Sequence, residues 1–105
     1  MKLSILERKI LRGKIVSVLE GAYPHHVERD ILEATLDQLN FWKGSEATLA
    51  EVVYLQQRGY VMWEKEPDPA DPRGEKYQYV LTATGHELAA GERRDDAIAW
   101  FEAVK

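Results

Sequence analysis

The sequence predicts a mainly α domain with a small β-hairpin, and three observations predict it. Apolar residues recur at helical spacing through three successive stretches ahead of Gly59. The period then shortens towards two over Tyr60–Lys65, and again over Glu75–Thr82. Between those runs lies Glu66–Gly74, whose Pro67, Pro69 and Pro72 cannot continue a strand ladder, so the segment reads as a stiffened, mostly acidic hairpin tip. With 105 residues and 45% hydrophobic content the chain is one domain with a small core, and residues 1–105 are assigned to it.

Ser4 and Glu7 have capping-box spacing, so the first helix should start there, run to Glu20 and stop at Gly21. Leu11, Ile15, Val18 and Leu19 share one face. Leu3, Leu6 and Ile10 share another with Gly13, and that face needs a second partner. A second helix is expected from about His25 to Leu39, with Val27, Ile31, Leu32, Thr35 and Leu39 inward. After Asn40–Gly44, Ser45 is a good N-cap for a third helix running to Arg58 and ending at Gly59. Its inner side is read as Leu49, Val52, Val53 and Leu55, and its outer side as Ala47, Ala50, Glu51, Tyr54 and Arg58. Thr82 caps a short helix ending near Ala90. A last helix from about Glu92 carries Ala97, Ile98, Trp100, Phe101 and Val104 on a broad apolar stripe.

Composition excludes several functions. The chain has no cysteine, so disulfide scaffolds and thiolate chemistry are out. No apolar run approaches membrane-spanning length and the start lacks a signal-peptide layout, so a cytoplasmic protein without membrane partners is expected. His25 and His26 are adjacent at a helix start; their side chains diverge by about 100° and cannot chelate one ion as a pair. There is no Gly-rich phosphate loop, nucleophile elbow or His-Glu metal motif, so neither catalysis nor a cofactor or metal is expected. The net charge of −4 argues against nonspecific coating of nucleic acid, yet the first helix is basic: Lys2, Arg8, Lys9, Arg12 and Lys14 face only Glu7 and Glu20.

The segment Leu55-Gln-Gln-Arg-Gly-Tyr-Val61 resembles the stretch where a recognition helix ends and a wing begins. Tyr79-Val-Leu-Thr-Ala-Thr-Gly-His-Glu-Leu88 is similar to the leucine-threonine-x-x-glycine segment that closes a wing and starts a helix. Both occur in MarR-like and PadR-like winged-helix transcriptional regulators, and the size resembles that of small phage-encoded winged-helix proteins. The resemblance spans roughly residues 8 to 90, with residues 8–82 as helix-turn-helix core and wing and residues 83–105 as C-terminal helices. It implies a homodimer that binds double-stranded DNA sequence-specifically, with the third helix in the major groove and the hairpin at the backbone or minor groove. By position, Ser45, Ala47, Thr48, Glu51 and Tyr54 would face bases or nearby phosphates, and Lys43, Arg58, Arg73 and Lys76 would contact the backbone. Leu3, Leu6, Ile10, Ile98, Trp100, Phe101 and Val104 would form the dimer interface; the alternative is a C-terminal helix folded back across the first helix of a monomer.

The third helix departs from that family pattern. It carries only Arg58, at its far end, beside Glu46 and Glu51, whereas phosphate neutralisation supplies much of DNA affinity. The competing expectation is therefore a winged-helix module, involved for instance in phage assembly or development, that binds a protein through this helix or the acidic hairpin and does not bind DNA.

Overall fold

The computed structural model describes residues 2–72 and 74–100. The elements run α1 (Ile5–Ala22), β1 (Val27–Glu28), α2 (Arg29–Gln38), α3 (Ser45–Gln57), β2 (Val61–Pro67), β3 (Glu75–Leu81) and α4 (Ala83–Ala89).

The capping box starts α1 as expected: the Ser4 hydroxyl accepts from the Glu7 N–H, and the Glu7 carboxylate accepts from the Ser4 N–H, both at 3.0 Å. Those bonds also hold the Glu7 carboxyl below its ordinary value. The helix continues through Gly21 and ends at Ala22, because Pro24, not the glycine, is the true stop: the residue before a proline is pushed out of helical geometry. The second helix is shorter than expected. Val27 and Glu28 form a two-residue strand paired antiparallel with Tyr79 and Gln78, so α2 begins only at Arg29. Leu32 and Leu36 are its buried residues, while Ile31 and Leu39, expected inside, are exposed.

The sheet therefore has three strands in the order β1-β3-β2 rather than two. In the β2–β3 hairpin Val61 stands opposite Leu81, Trp63 opposite Tyr79 and Pro67 opposite Glu75. The prolines thus lie at or beyond the end of the ladder, where a missing N–H costs nothing. One core receives side chains from every layer: Leu11, Ile15, Val16 and Leu19 of α1, Leu32 and Leu36 of α2, Val52 and Leu55 of α3, Val61, Tyr79 and Leu81 of the sheet, and Leu88 of α4. Burial pushes the Tyr79 hydroxyl up to about 12.

Thr82 joins sheet to helix. Its hydroxyl accepts from the Gly85 N–H at 3.0 Å and donates to the Gly59 carbonyl at 2.6 Å. A Cβ on Gly85 would collide with the Tyr60 carbonyl, which explains why threonine and glycine stand three residues apart in this segment.

The expected C-terminal helix from Glu92 is not formed in the described residues. Residues 92–100 make a strap folded back across α1. Its backbone groups are committed elsewhere: the Ala99 N–H donates to the Lys9 carbonyl at 3.1 Å, and the Ala97 carbonyl accepts from Arg12 Nη1 at 2.8 Å. The strap reaches α1 because Gly13 lacks a side chain, since a Cβ there would strike the Ala99 carbonyl. Ile98 completes the core from this strap.

Candidate nucleic-acid interface

The third helix has apolar residues on all sides, and the structure selects an inward face about a quarter turn away from the expected one. Thr48, Glu51, Val52 and Leu55 are its buried residues. Glu51 is 2% exposed and Thr48 1% exposed, so neither can face a groove, and both are corrected from the expected contact set. Glu51 is turned inward by two arginines of α1. Arg12 Nε donates to one carboxylate oxygen at 2.7 Å and Arg8 Nε to the other at 3.1 Å. The buried Arg12 guanidinium also lies 3.7 Å from the centroid of the Tyr54 ring. Desolvation is thus offset by an ion pair, a carbonyl hydrogen bond and an aromatic face at once. Thr48 satisfies its hydroxyl on the Gly44 carbonyl at 2.9 Å.

The outward face is Glu46, Leu49, Ala50, Val53 and Gln57, spaced so that they share one side of the helix. Leu49 is 40% exposed and Val53 half-buried, although both were expected inside. A separate stripe at residues 46, 50, 53 and 57 was present in the sequence, but nothing local distinguished it from the buried one. Ser45 is the first residue of the helix and not its cap; Gly44 holds that place, with φ 99°, and the Ser45 hydroxyl donates to Glu33 at 2.9 Å. Ala47 and Tyr54 are half-buried against the core.

The expected backbone-contact cations are all engaged within the chain where they are described. Lys43 sits 3.7 Å from Glu7 and 4.7 Å from the centroid of the Phe41 ring. Lys76 is 3.9 Å from Glu28, and in the hairpin Lys65 is 2.9 Å from Glu75. Arg58 reaches the strap, where its Nη2 donates to Asp95 at 2.7 Å, and the Tyr60 hydroxyl donates to the same oxygen at 2.6 Å. Burial alone raises the Asp95 carboxyl, but the hydrogen bonds from Tyr60 and the Ala97 N–H, with Arg58 alongside, outweigh it and hold the group below the ordinary aspartate value. Arg73 lies outside the described residues.

The expected dimer set divides. Ile10 and Ile98 are buried in the chain's own fold and are corrected, because the strap occupies the face that was left for a partner. Leu3 packs partly against the core, while Leu6 and Trp100 stay exposed. Phe101 and Val104 lie outside the described residues. No described helix is long and apolar enough to cross a membrane. No described cluster of three or more histidine, aspartate or glutamate side chains is placed to hold a metal. His26 lies 3.7 Å from Glu64, whereas His86 meets Glu20 at 2.7 Å and stacks on Tyr23.

No protein-family model matches the chain, and no curated protein does. Among solved structures it is similar to Bacillus subtilis PadR in complex with operator DNA, with a TM-score of 0.64 at 18% sequence identity. The superposition covers 92% of this chain. The fold is a winged helix. In winged-helix terms the β2–β3 hairpin is the wing and α3 the helix that precedes it, with β1 paired to the wing's inner strand. The match covers 53% of the PadR chain, so this chain spans about half the length of that one.

Proposed function

We propose that the chain binds double-stranded DNA sequence-specifically as a transcriptional regulator, with α3 in the major groove and the wing on the flanking backbone or minor groove. One observation carries this reading. The helix that precedes the wing leaves the face of Glu46, Leu49, Ala50, Val53 and Gln57 open, while Thr48, Glu51, Val52 and Leu55 are closed into the fold. Lys43 and Arg58 flank the open face at its two ends, and Ser45, Ala47 and Tyr54 border it. Lys76 and Arg73 belong to the wing in the same reading. The solved neighbour's association with operator DNA adds support from fold alone.

Because Lys43, Arg58 and Lys76 are already in ion pairs, a single domain has few phosphate contacts to offer beside α3 and the wing, and affinity then depends on pairing two domains. We propose a homodimer on that ground, with exposed Leu6 and Trp100 as its candidate contacts. The second reading, a protein-binding winged helix, is favoured by one specific feature: the only ionisable group on the open face of α3 is the carboxylate Glu46.

Fluorescence anisotropy on a labelled duplex from the gene's own upstream region, against a scrambled duplex and across a salt titration, separates the two. Preference for the native duplex, with a log–log salt slope of several units, supports the regulator. Equal binding that vanishes by roughly 150 mM salt overturns it in favour of a protein partner.

A further inference from the structure

The open face of α3 has a composition suited to one kind of base. From its start to its end the helix offers Glu46, then Leu49, Ala50 and Val53, then Gln57, with no guanidinium or ammonium among them. Guanine is read in the major groove by arginine or lysine on its O6 and N7 acceptors, and this face has neither. Thymine alone presents a methyl group there, and apolar side chains complement it. The Gln57 amide matches the N6 donor and N7 acceptor of adenine, thymine's partner. Glu46, at the start of the helix and outside the apolar middle, can accept only from an exocyclic amine, that of cytosine or adenine.

The charge pattern along the helix fits the same placement. Thirteen residues at 1.5 Å each make α3 about 20 Å long, which exceeds the roughly 12 Å width of the major groove. If α3 crosses the groove, Lys43 and Arg58, just beyond its ends, fall at the groove edges, where the phosphates are. The uncharged middle would lie over the base pairs.

Resting on the DNA-binding reading, we infer that Leu49, Ala50 and Val53 are specificity-determining residues that read thymine methyl groups, so that the target carries a run of A·T pairs at the centre of the contacted groove. The apolar character of an outward helix face is then a recognition surface, and no guanine contact is made from α3.

The test begins with selection from a pool of randomised duplexes. The selected site is then resynthesised with single thymines replaced by deoxyuridine, which removes the methyl and keeps every hydrogen-bonding group. The expected result is an A·T core in which each contacted methyl, when removed, weakens binding about three- to fourfold, the value of one buried methyl-sized group. With Leu49→Ser, the penalty at one of those positions should disappear while the others remain, which a general loss of folding would not produce. Enrichment of a G·C core, or an A·T core indifferent to deoxyuridine, overturns the inference and leaves DNA reading intact. Enrichment of no sequence overturns both, and the same apolar face is then a protein-docking surface.

Discussion

The two sides of α3 both mix polar and apolar residues, unlike the usual surface helix. Its inward side holds Thr48 and Glu51, the latter clasped by Arg8 and Arg12, beside Val52 and Leu55, while its outward side holds Leu49, Ala50 and Val53 between Glu46 and Gln57. The inward charge is tolerated because it is fully partnered, and an exposed leucine beside a half-buried valine costs little. Burial of the polar residues in this helix therefore follows the availability of a partner, while Val52 and Leu55 are buried as core residues. The side left open therefore has apolar groups at its middle, and the Glu51 carboxylate and the Arg12 guanidinium are used up inside the fold.

If the inward side is the structural one, the largest effect should come from Glu51→Ala. It strands the buried Arg12 guanidinium, and a loss of about 3–5 kcal/mol is expected by chemical denaturation. Replacing both members, as in Arg12→Met with Glu51→Leu, should recover most of it; failure to recover would show that the network is needed for more than charge balance. Gly13→Ala should cost about 1–3 kcal/mol, because the new Cβ meets the Ala99 backbone and displaces the strap, against a helix-propensity gain of about 1 kcal/mol. Trp100 fluorescence should report that displacement, and an unchanged spectrum would contradict the described packing.

The Arg58–Asp95–Tyr60 cluster ties the end of α3 to the strap and should show in acid. Asp95 titrates below its unfolded value of about 3.9, so its contribution is fully present above that pH and is lost as pH falls through the lower folded value. Asp95→Asn should therefore be less stable at neutral pH, and should lose less further stability between about pH 5 and pH 3 than the parent protein. Equal acid profiles would remove Asp95 from the account. Smallest of all, Leu49→Ser on the outward side should change stability by no more than about 0.5 kcal/mol, despite replacing a leucine. A large loss there would mean that this face is covered in solution and would break the contrast between the two sides.

Much of the fold was legible in the sequence. Ser4 with Glu7 set the start of α1, the prolines bounded the hairpin, and Thr82 with Gly85 marked the turn from sheet to α4. Each of these is a local interaction, completed within a few residues or imposed by one residue's own backbone, so the chain determines it before it folds. The expected order of three helices, hairpin and short helix followed from such signals. The tertiary structure alone decided the rest. Val27 and Glu28 became a strand only because β3, some fifty residues later, offered an unpaired edge. Residues 92–100 became a strap because Gly13, Lys9, Arg12 and Arg58 supplied better partners than the next helical turn. The inward face of α3 was set by Arg12, on a helix distant in sequence. Apolar periodicity ranks faces by hydrophobicity, and a buried carboxylate with two arginines rotates the inward face away from that ranking, so the candidate interface was the part of this protein that the sequence by itself left open.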